Sequence, residues 1–278
     1  MTSKTSNMSK LLSWTSLGAI GASLLSFFSA PIEWLKNSLV FHPNRRVDVS
    51  PADYGFVYED VWFGGPDGRL LHGWYLPGDG DAVFLWFHGN AGNIGNRLDH
   101  ARLLSDQLGV GHFLFDYQGY GNSKGKPSIE GFLADGRAAI AELQHRGWAS
   151  GKQLVYIGES LGCAAVISLG IEQPPDRAIL LAPFYSLRAM GERILPPLAF
   201  VVEDDLNTAR IISQFQIPLL VIHGTQDRTI PYQQGKDLYE LANQPKVFHS
   251  VRDGGHTDLH LVGGDEYFRV IGEFLTEH

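Results

Sequence analysis

Residues 153–170, QLVYIGESLGCAAVISLG, contain the clearest structural signal in this sequence. The stretch opens with an apolar, strand-like run and closes with a run that suits a buried helix. Between the two runs, Gly158 and Gly162 flank Ser160 in a turn that is too tight for larger side chains. A serine on such a turn projects from the edge of a sheet, where an exposed nucleophile is needed. Because the five-residue pattern GESLG is weak by itself, an ordinary glycine-rich turn is the alternative.

Strand-like and helix-like segments alternate on both sides of this turn. Short, continuous apolar runs such as AVFLWFH at 82–88 and PLLVIH at 218–223 predict strands buried on both faces. Alternation repeated this often predicts an α/β fold, with a mostly parallel eight-stranded sheet covered by helices on both faces. The predicted strands are 57–64, 70–77, 82–88, 110–117, 153–158, 177–182, 218–223 and 247–251. The predicted helices are 94–108, 129–145, 160–171, 233–241 and 265–275.

Two features depart from the regular alternation. The first two strands are separated by Gly-Pro-Asp-Gly at 65–68, which predicts an N-terminal antiparallel hairpin. Over thirty residues separate the strands at 177–182 and 218–223, and they include the apolar run LPPLAFVV. An apolar insertion at the end of a strand predicts a short lid over a pocket, here at about 184–212 after the sixth strand.

The composition excludes several classes of function. The chain is 44% hydrophobic and 19% charged, as in a packed globular protein, and its formal net charge is −8. No positive field attracts a phosphate backbone, so we expect no nucleic-acid partner. An uncharged or membrane-derived substrate is easier to accommodate. The single cysteine, Cys163, excludes an intrachain disulfide and zinc sites built on cysteine.

The first forty residues differ from the rest of the chain. No charged residue occurs in 11–32, and this length suits a helix that spans a bilayer. We predict that residues 1–40 are an N-terminal anchor that holds a domain of residues 41–278 at a membrane. A cleaved signal peptide, which leaves a secreted or periplasmic enzyme, is the alternative. It is disfavoured because a cut after Ala30 puts the bulky Phe28 where a small residue is expected. A buried helix of a soluble protein is a third interpretation.

A serine hydroxyl becomes a good nucleophile only when a base removes its proton, and a carboxylate must hold a histidine base in the right tautomer. Asp227 follows the predicted strand 218–223 in HGTQD, and His256 follows the strand 247–251 in GGHTD. Both therefore lie at the same edge of the sheet as Ser160. We predict that Ser160 is the nucleophile, His256 the general base and Asp227 the orienting acid.

Other residues are candidates for two of these roles. His260 is a rival for the base. Asp204, Asp205 and Asp258 are rivals for the acid, although Asp258 is too close in sequence to His256 to reach it comfortably. The remaining histidines near strands, His88, His223 and His249, are predicted to have structural roles.

A tetrahedral intermediate needs two N–H donors directed at its oxyanion. Leu161, directly after the nucleophile, is predicted to supply one. The loop HGNAGN at 88–93 follows a central strand, and we assign the second donor to the backbone of Asn90. A plain turn is the alternative for this loop, which has neither the P-loop nor the dinucleotide pattern. We expect no cofactor and no metal.

The loop DYQGYGNS at 116–123 closes the next strand. Its aspartate and glycines are predicted to fix the wall of the pocket. A direct role of Tyr117 or Tyr120 in substrate binding is the alternative.

Together, HGNAGN, DYQGYGNS, GESLG, HGTQD and GGHTD resemble the α/β-hydrolase superfamily from about residue 41 to the C-terminus. The residues of these motifs are similar to those of one branch of small, short-lidded enzymes, often with an N-terminal membrane segment. This branch includes protein depalmitoylases and lysophospholipid or monoacylglycerol lipases. The resemblance implies the α/β-hydrolase fold, the same catalytic triad, and an oxyanion hole lined by Asn90 and Leu161. Two departures are Gln118, where related sequences often have arginine, and Thr257, where they often have asparagine.

The expected activity is hydrolysis of acyl ester or thioester bonds through an acyl-serine intermediate, on a small or lipid-like substrate. A serine peptidase that acts on short peptides is the first alternative, because the same triad cleaves amides. A hydrolase-like binding protein without turnover is the second, and the intact triad argues against it.

Overall fold

The computed structural model describes residues 33–194, 196 and 206–277. Residues 41–278 form one compact unit, and residues 1–40 belong to another. In the described part of the first unit, residues 33–40 are helical. Within the described parts of the chain, no helix combines the length and apolar character needed to cross a membrane. The predicted anchor or signal segment at 11–32 lies outside the described residues and stays a prediction.

An eight-stranded sheet forms the centre of the larger unit. In chain order its strands are β1 (Glu59–Gly64), β2 (Leu70–Leu76), β3 (Ala82–Phe87), β4 (Gly111–Asp116), β5 (Gln153–Glu159), β6 (Arg177–Leu181), β7 (Leu219–Gly224) and β8 (Lys246–Val251). Their spatial order is β8-β7-β6-β5-β3-β4-β2-β1. The pairs β1–β2 and β2–β4 are antiparallel, and all other pairs are parallel. This confirms the mostly parallel sheet with an N-terminal hairpin.

Helices pack on both faces of the sheet. They are α1 (Leu98–Leu108), α2 (Ile129–Arg146), α3 (Leu161–Glu172), α4 (Leu187–Ile194), α5 (Thr208–Ile211), α6 (Tyr232–Leu241) and α7 (Leu259–Thr276). Alternation along β3 explains how one strand serves both faces: Phe84 and Trp86 join the core formed with α1 and α7. Phe87 points the other way and packs against α2 at Gly136.

The position of the site follows from the order of the strands. The chain leaves β3 to form β4 on one side of it and then returns to form β5 on the other side. In an open α/β sheet, the crevice at such a reversal is the usual place for a ligand. The turn that contains Ser160 follows β5, and the loop at 88–93 follows β3. The two segments therefore meet at this crevice.

Several predicted boundaries need correction. The helix predicted at 265–275 is the second part of the longer element Leu259–Thr276, and Gly264, with φ 53°, separates it from a short first part that was not predicted. The helix predicted at 160–171 begins at Leu161, because Ser160 itself is not helical. In the helix predicted at 94–108, the first turn, Ile94–Arg97, is a 3-10 turn capped by the side chain of Asn93. A two-residue parallel bridge between His42–Pro43 and Ala91–Gly92 was not predicted.

The predicted lid at 184–212 includes α4 and α5. Residues 195 and 197–205 are outside the described residues, and they include the rival acids Asp204 and Asp205. That this insertion covers the pocket stays a prediction.

Candidate active site

The turn between β5 and α3 holds Ser160 in a strained conformation. Its backbone φ is 51° and ψ is −112°, values that few residues other than glycine adopt. A Cβ atom on Gly158 would lie 2.8 Å from the backbone nitrogen of Cys163, and one on Gly162 would overlap the Phe87 carbonyl. Both glycines are therefore required for α3 to start this close to β3 and β5.

Ser160 and His256 line the same cavity, which has a volume of about 560 Å³. Gly89 and Asn90 also line this cavity, as do the apolar residues Leu181 and Leu259. None of the described residues of the insertion at 184–212 is among those that line it. The predicted nucleophile, base and oxyanion loop are thus brought together at one crevice.

Asp227 and His256 form a short hydrogen bond across two loops. The distance from His256 Nδ1 to Asp227 Oδ2 is 2.7 Å. The other carboxylate oxygen, Oδ1, accepts hydrogen bonds from the backbone N–H groups of Thr229 and Ile230, each at 2.8 Å. His223 Nε2 lies 3.3 Å from Oδ2. The carboxylate is fully buried and surrounded by donors.

These contacts determine the charge on Asp227. Burial opposes its ionisation, but hydrogen bonds from His223, His256 and Ile230 outweigh burial and hold the pKa of this carboxyl well below its usual range. Asp227 is therefore an anion that holds the proton of His256 on Nδ1. The opposite ring nitrogen, Nε2, is left to act as a base toward a hydroxyl.

The loop after β3 is held by its carbonyl groups. The Asn90 carbonyl accepts hydrogen bonds from the Tyr120 hydroxyl at 2.6 Å and from the backbone N–H of His42 at 2.9 Å. A Cβ atom on Gly89 would lie 3.5 Å from Cβ of Ser160, so this loop passes directly beside the serine. Leu161 is the first residue of α3, where a backbone N–H has no partner within its own helix.

The tyrosines of the loop at 116–123 face the protein interior. Tyr117 and Tyr120 are almost completely buried, and neither lines the cavity. The Tyr120 hydroxyl holds the Asn90 carbonyl, and the Tyr117 hydroxyl is 3.4 Å from the His88 carbonyl. These contacts favour a role in shaping the pocket over direct contact with a substrate.

The rival residues are placed differently from the predicted triad. His260 lines the cavity, but its ring stacks on His100 and its Nε2 is 3.4 Å from Asp99 Oδ2. Asp258 accepts a hydrogen bond from the backbone of Gly255 at 2.7 Å, within its own loop.

The two departures from the resembled branch are also located. Gln118 accepts a hydrogen bond from Arg69 at 2.6 Å, and its backbone N–H donates to the buried Asp135 at 2.8 Å. Thr257 lines the cavity next to His256.

Arg97 and Glu159, which were not predicted as site residues, also line the cavity. Arg97 Nε donates to Glu159 Oε2 at 2.9 Å. Burial opposes the ionisation of Glu159, but the positive charge of Arg97 and the nearby ring of His100 lower its pKa to about 2. The available signal was the glutamate inside the GESLG turn, because a carboxylate that is largely removed from water needs a cation.

Comparison with known proteins gives a consistent classification. Residues 78–209 match a family model described as serine aminopeptidase, S33. An uncharacterised protein of Mycobacterium tuberculosis is 37% identical over 245 residues, which cover 86% of each chain. The α/β-hydrolase domain-containing protein WAV2 of Arabidopsis thaliana is 32% identical over 258 residues, which cover 84% of each chain.

A solved structure agrees with this classification at the level of the fold. An esterase of Pyrococcus furiosus superposes with a TM-score of 0.71 at 21% identity, covering 85% of this chain and 97% of the esterase. Because a named α/β-hydrolase domain protein shares its sequence over most of both chains, this chain belongs to the α/β-hydrolase family.

Proposed function

We propose that this protein is a serine hydrolase that cleaves acyl ester or thioester bonds through an acyl-serine intermediate. The carrying observation is the 2.7 Å hydrogen bond between His256 Nδ1 and the ionised Asp227, beside the cavity that His256 shares with Ser160. This bond places the basic nitrogen of His256 on the side of the ring away from Asp227.

The proposed reaction proceeds in two halves. Ser160 Oγ attacks the carbonyl carbon of the substrate while its proton passes to His256 Nε2, and Asp227 stabilises the imidazolium that forms. The negative charge on the carbonyl oxygen is stabilised by the backbone N–H groups of Leu161 and Asn90. The imidazolium then donates its proton to the departing alcohol or thiol. A water molecule repeats the sequence on the acyl-enzyme and releases the acid.

The cavity supports a small or lipid-like acyl substrate. Leu181 and Leu259 give it apolar surface, and its volume of about 560 Å³ is in the range of small-molecule sites. Because the formal net charge of the chain is −8, an uncharged acyl group is easier to bring to this site than an anionic one.

A fluorophosphonate probe tests the nucleophile. We expect the wild type to be labelled and Ser160→Ala to be unlabelled, because the probe reacts with an activated serine. Ser213→Ala, at an exposed serine, is the matched control and should label like the wild type. Equal labelling of Ser160→Ala and the wild type would rule out Ser160 as the nucleophile.

The base is tested by two histidine variants measured on the same acyl ester. His256→Ala is expected to lower kcat by roughly 10⁴-fold or more, because members of a triad act as a unit. His260→Ala is expected to keep kcat within about tenfold of the wild type, since general-base catalysis alone is worth at least about a hundredfold. The reverse order of effects would move the role of base to His260.

Amide hydrolysis is the second candidate, because the matching family model is described as a serine aminopeptidase. An aminopeptidase must bind the free amino group of its substrate, and a carboxylate suits that task. The cavity carboxylates Glu159 and Asp99 already face Arg97 and His260, which favours the ester interpretation. Rates on acyl esters of increasing chain length, compared with rates on aminoacyl arylamides, separate the two activities. Absence of turnover on both would support a binding protein.

We also propose that residues 11–32 hold the enzyme at a membrane, on the basis of their uncharged sequence. The full chain should remain with membranes after alkaline carbonate extraction, whereas a chain of residues 41–278 should be released. A full chain that is extracted as easily as the shorter one would contradict the anchor.

A further inference from the structure

The ion pair of Arg97 and Glu159 lies directly beside the proposed nucleophile. Glu159 is the residue before Ser160 and the last residue of β5. The side chains of Arg97 and Glu159 are only 12% and 23% exposed, and their closest atoms are 2.9 Å apart. The carboxylate therefore connects the guanidinium to the turn that carries the serine.

The same guanidinium also holds the loop after β3. Arg97 Nη1 donates to the carbonyl of Ala91 at 3.0 Å and to the carbonyl of Asn93 at 3.1 Å. A Cβ atom on Gly92, which has φ +80°, would lie 3.1 Å from Nη1. The loop thus passes close to the guanidinium, although a side chain at residue 92 would clash first with Oδ1 of Asn96. One cation binds both the oxyanion loop and the turn of the nucleophile.

A chain of ring contacts extends from Glu159 toward the segment of the proposed base. His100 Nδ1 is 3.8 Å from Glu159 Oε1, and the His100 ring stacks on His260 with centroids 4.2 Å apart. The Tyr267 hydroxyl lies 2.9 Å from His100 Nε2. His260 and Tyr267 belong to α7, which begins three residues after His256. Loops that bear all three parts of the active site therefore meet at this polar network.

Stability alone is a weak explanation for this pair. Removing two charges from water has a penalty that their attraction offsets only in part, so apolar side chains of similar volume often stabilise a fold as well. Catalysis places a stricter demand on the same position. Oxyanion donors must lie within a few tenths of an ångström of their productive positions, and the donors here come from two separate loops.

We propose that Arg97, paired with Glu159, is a positioning residue that sets the distance between the two halves of the oxyanion hole. It fixes the loop bearing Asn90 against the turn bearing Ser160 and Leu161. This inference rests on the proposed function, because an oxyanion hole is needed only if an acyl group is transferred. Arg97 itself contacts no reacting atom in this mechanism.

A pair of substrates that differ in one atom reports on the oxyanion hole. In a thionoester, sulfur replaces the carbonyl oxygen, and sulfur is a poor hydrogen-bond acceptor. An intact oxyanion hole therefore favours the oxygen ester strongly, whereas a misaligned one distinguishes the two less. The ratio of kcat/KM for an ester to that for its thionoester is the readout, measured with kcat, KM and Tm for each variant.

Arg97→Lys is the main variant, because lysine keeps the charge but cannot bond Glu159 and two carbonyls in the same planar geometry. We expect kcat on the ester to fall by about tenfold to a hundredfold, with KM within about twofold and the ester-to-thionoester ratio reduced by at least about fivefold. Glu159→Gln keeps the size of the side chain and loses its charge. Glu159→Gln should change kcat and the ester-to-thionoester ratio in the same direction by a smaller factor. It provides the test if Arg97→Lys does not fold.

Arg102→Lys is the matched control. Arg102 is on α1, five residues after Arg97, and pairs with Asp106 at 2.9 Å on the surface. Its substitution removes a similar arginine–carboxylate contact away from the cavity, so kcat and the ratio should stay within about twofold of the wild type.

The outcomes separate this inference from the proposed function. If Arg97→Lys and Glu159→Gln both have the wild-type ratio of ester to thionoester kcat/KM, the positioning role is wrong. Fluorophosphonate labelling of Ser160 would still support the proposed function in that case. A raised KM with unchanged kcat would overturn it in favour of substrate binding by Arg97. A wild type that neither labels nor turns over either ester would overturn the function and this inference together.

Discussion

Two histidine–aspartate pairs lie at the same edge of the sheet, and their carboxyl groups differ in charge. His256 lines the cavity, and its ring nitrogen Nδ1 lies 2.7 Å from Oδ2 of Asp227 behind it. His88 and Asp116 lie under the loop after β3, where the closest distance, from Nε2 to Oδ1, is 3.5 Å. Both carboxyl groups are completely shielded from solvent. The two carboxyl groups therefore do not differ in the exposure of their side chains to solvent.

The number of donated hydrogen bonds explains the difference. Asp116 Oδ1 accepts one hydrogen bond, from the backbone of Ile94 at 3.0 Å. Asp116 Oδ2 and His88 Nε2 have no hydrogen-bond partner among the described residues. Burial raises the pKa of Asp116 to about 8, and burial together with the charge of Arg97 lowers the pKa of His88 to about 3. At neutral pH both groups are mainly uncharged.

The comparison indicates that the buried Asp227 is ionised because backbone and histidine donors surround it, and the role proposed for it in catalysis requires that charge. Asp227 has those donors from Thr229, Ile230 and two histidines, and Asp116 does not. The first pair can stabilise a charge that appears during the reaction. The second shapes the oxyanion loop from below as a neutral pair.

The largest expected effect comes from Asp227→Asn, which removes the charge of the first pair and keeps the shape of the side chain. In Asp227→Asn, the N–H groups of Thr229 and Ile230 require the amide oxygen at the Oδ1 position, which turns the amide NH₂ toward His256 Nδ1. The histidine must then carry its proton on Nε2 and cannot accept one from Ser160. We expect kcat to fall by about 10⁴-fold with little change in fold. Steady-state kinetics and circular dichroism check this, and near-normal turnover would contradict the proposed role.

The second effect crowds the neutral pair. A Cβ atom on Gly121, which has φ +44°, would overlap Asp116 Oδ2. Gly121→Ala should lower the free energy of unfolding by about 3 kcal/mol, from backbone strain and overpacking together. Gly55→Ala is the control, because Gly55 has φ +73° and nothing described lies within 4 Å of its Cβ position. It should lose only about 1 kcal/mol. Urea denaturation measures the free energy of unfolding of both variants. Equal losses in Gly121→Ala and Gly55→Ala would show that Asp116 leaves room for a methyl group at residue 121.

The third effect is a dependence of stability on pH. The pKa of Asp116 is raised to about 8 in the folded protein, so between about pH 4 and pH 8 the folded state holds a proton that the unfolded state releases. This group therefore makes folding less favourable as pH rises through that interval. Asp116→Asn has no such proton and should gain at least about 1.4 kcal/mol relative to the wild type between about pH 5 and pH 8.

Urea denaturation of both proteins at the two pH values measures this gain. Differences between variants cancel the contributions of other titrating groups, including the buried Asp135, whose pKa burial raises to about 7. A constant difference between the proteins at both pH values would mean that Asp116 is ionised in the fold.

The smallest expected effect is on catalysis by the same variant. An amide has the shape and neutrality of a protonated carboxylic acid, so Asp116→Asn should keep kcat within about threefold of the wild type near neutral pH. Together with Asp227→Asn, it gives two identical substitutions at equally buried positions with very different consequences. A large loss of kcat in Asp116→Asn would mean that its charge contributes to the site.

Much of the architecture could be predicted because its signals are local. The apolar run of β3 and the paired glycines around Ser160 each depend on neighbours within a few residues. The short first part of α7, at 259–263, was missed because Gly263 and Gly264 indicate a helix boundary, and no local pattern indicates a second helical stretch before them. The pairing of Arg97 with Glu159 was missed because 62 residues separate them, and no local pattern requires their contact.

The order of strands, turns and motifs in the sequence was sufficient to assign the fold class and to nominate Ser160, Asp227 and His256. Parallel strands bring their carboxyl ends to one edge, so residues that follow different strands meet without further information. Only the tertiary structure distinguished an ionised aspartate from a neutral one and brought Arg97 into contact with both Glu159 and the loop after β3. Charge state and alignment depend on donors and acceptors contributed by distant segments, and these are placed only when the chain is folded.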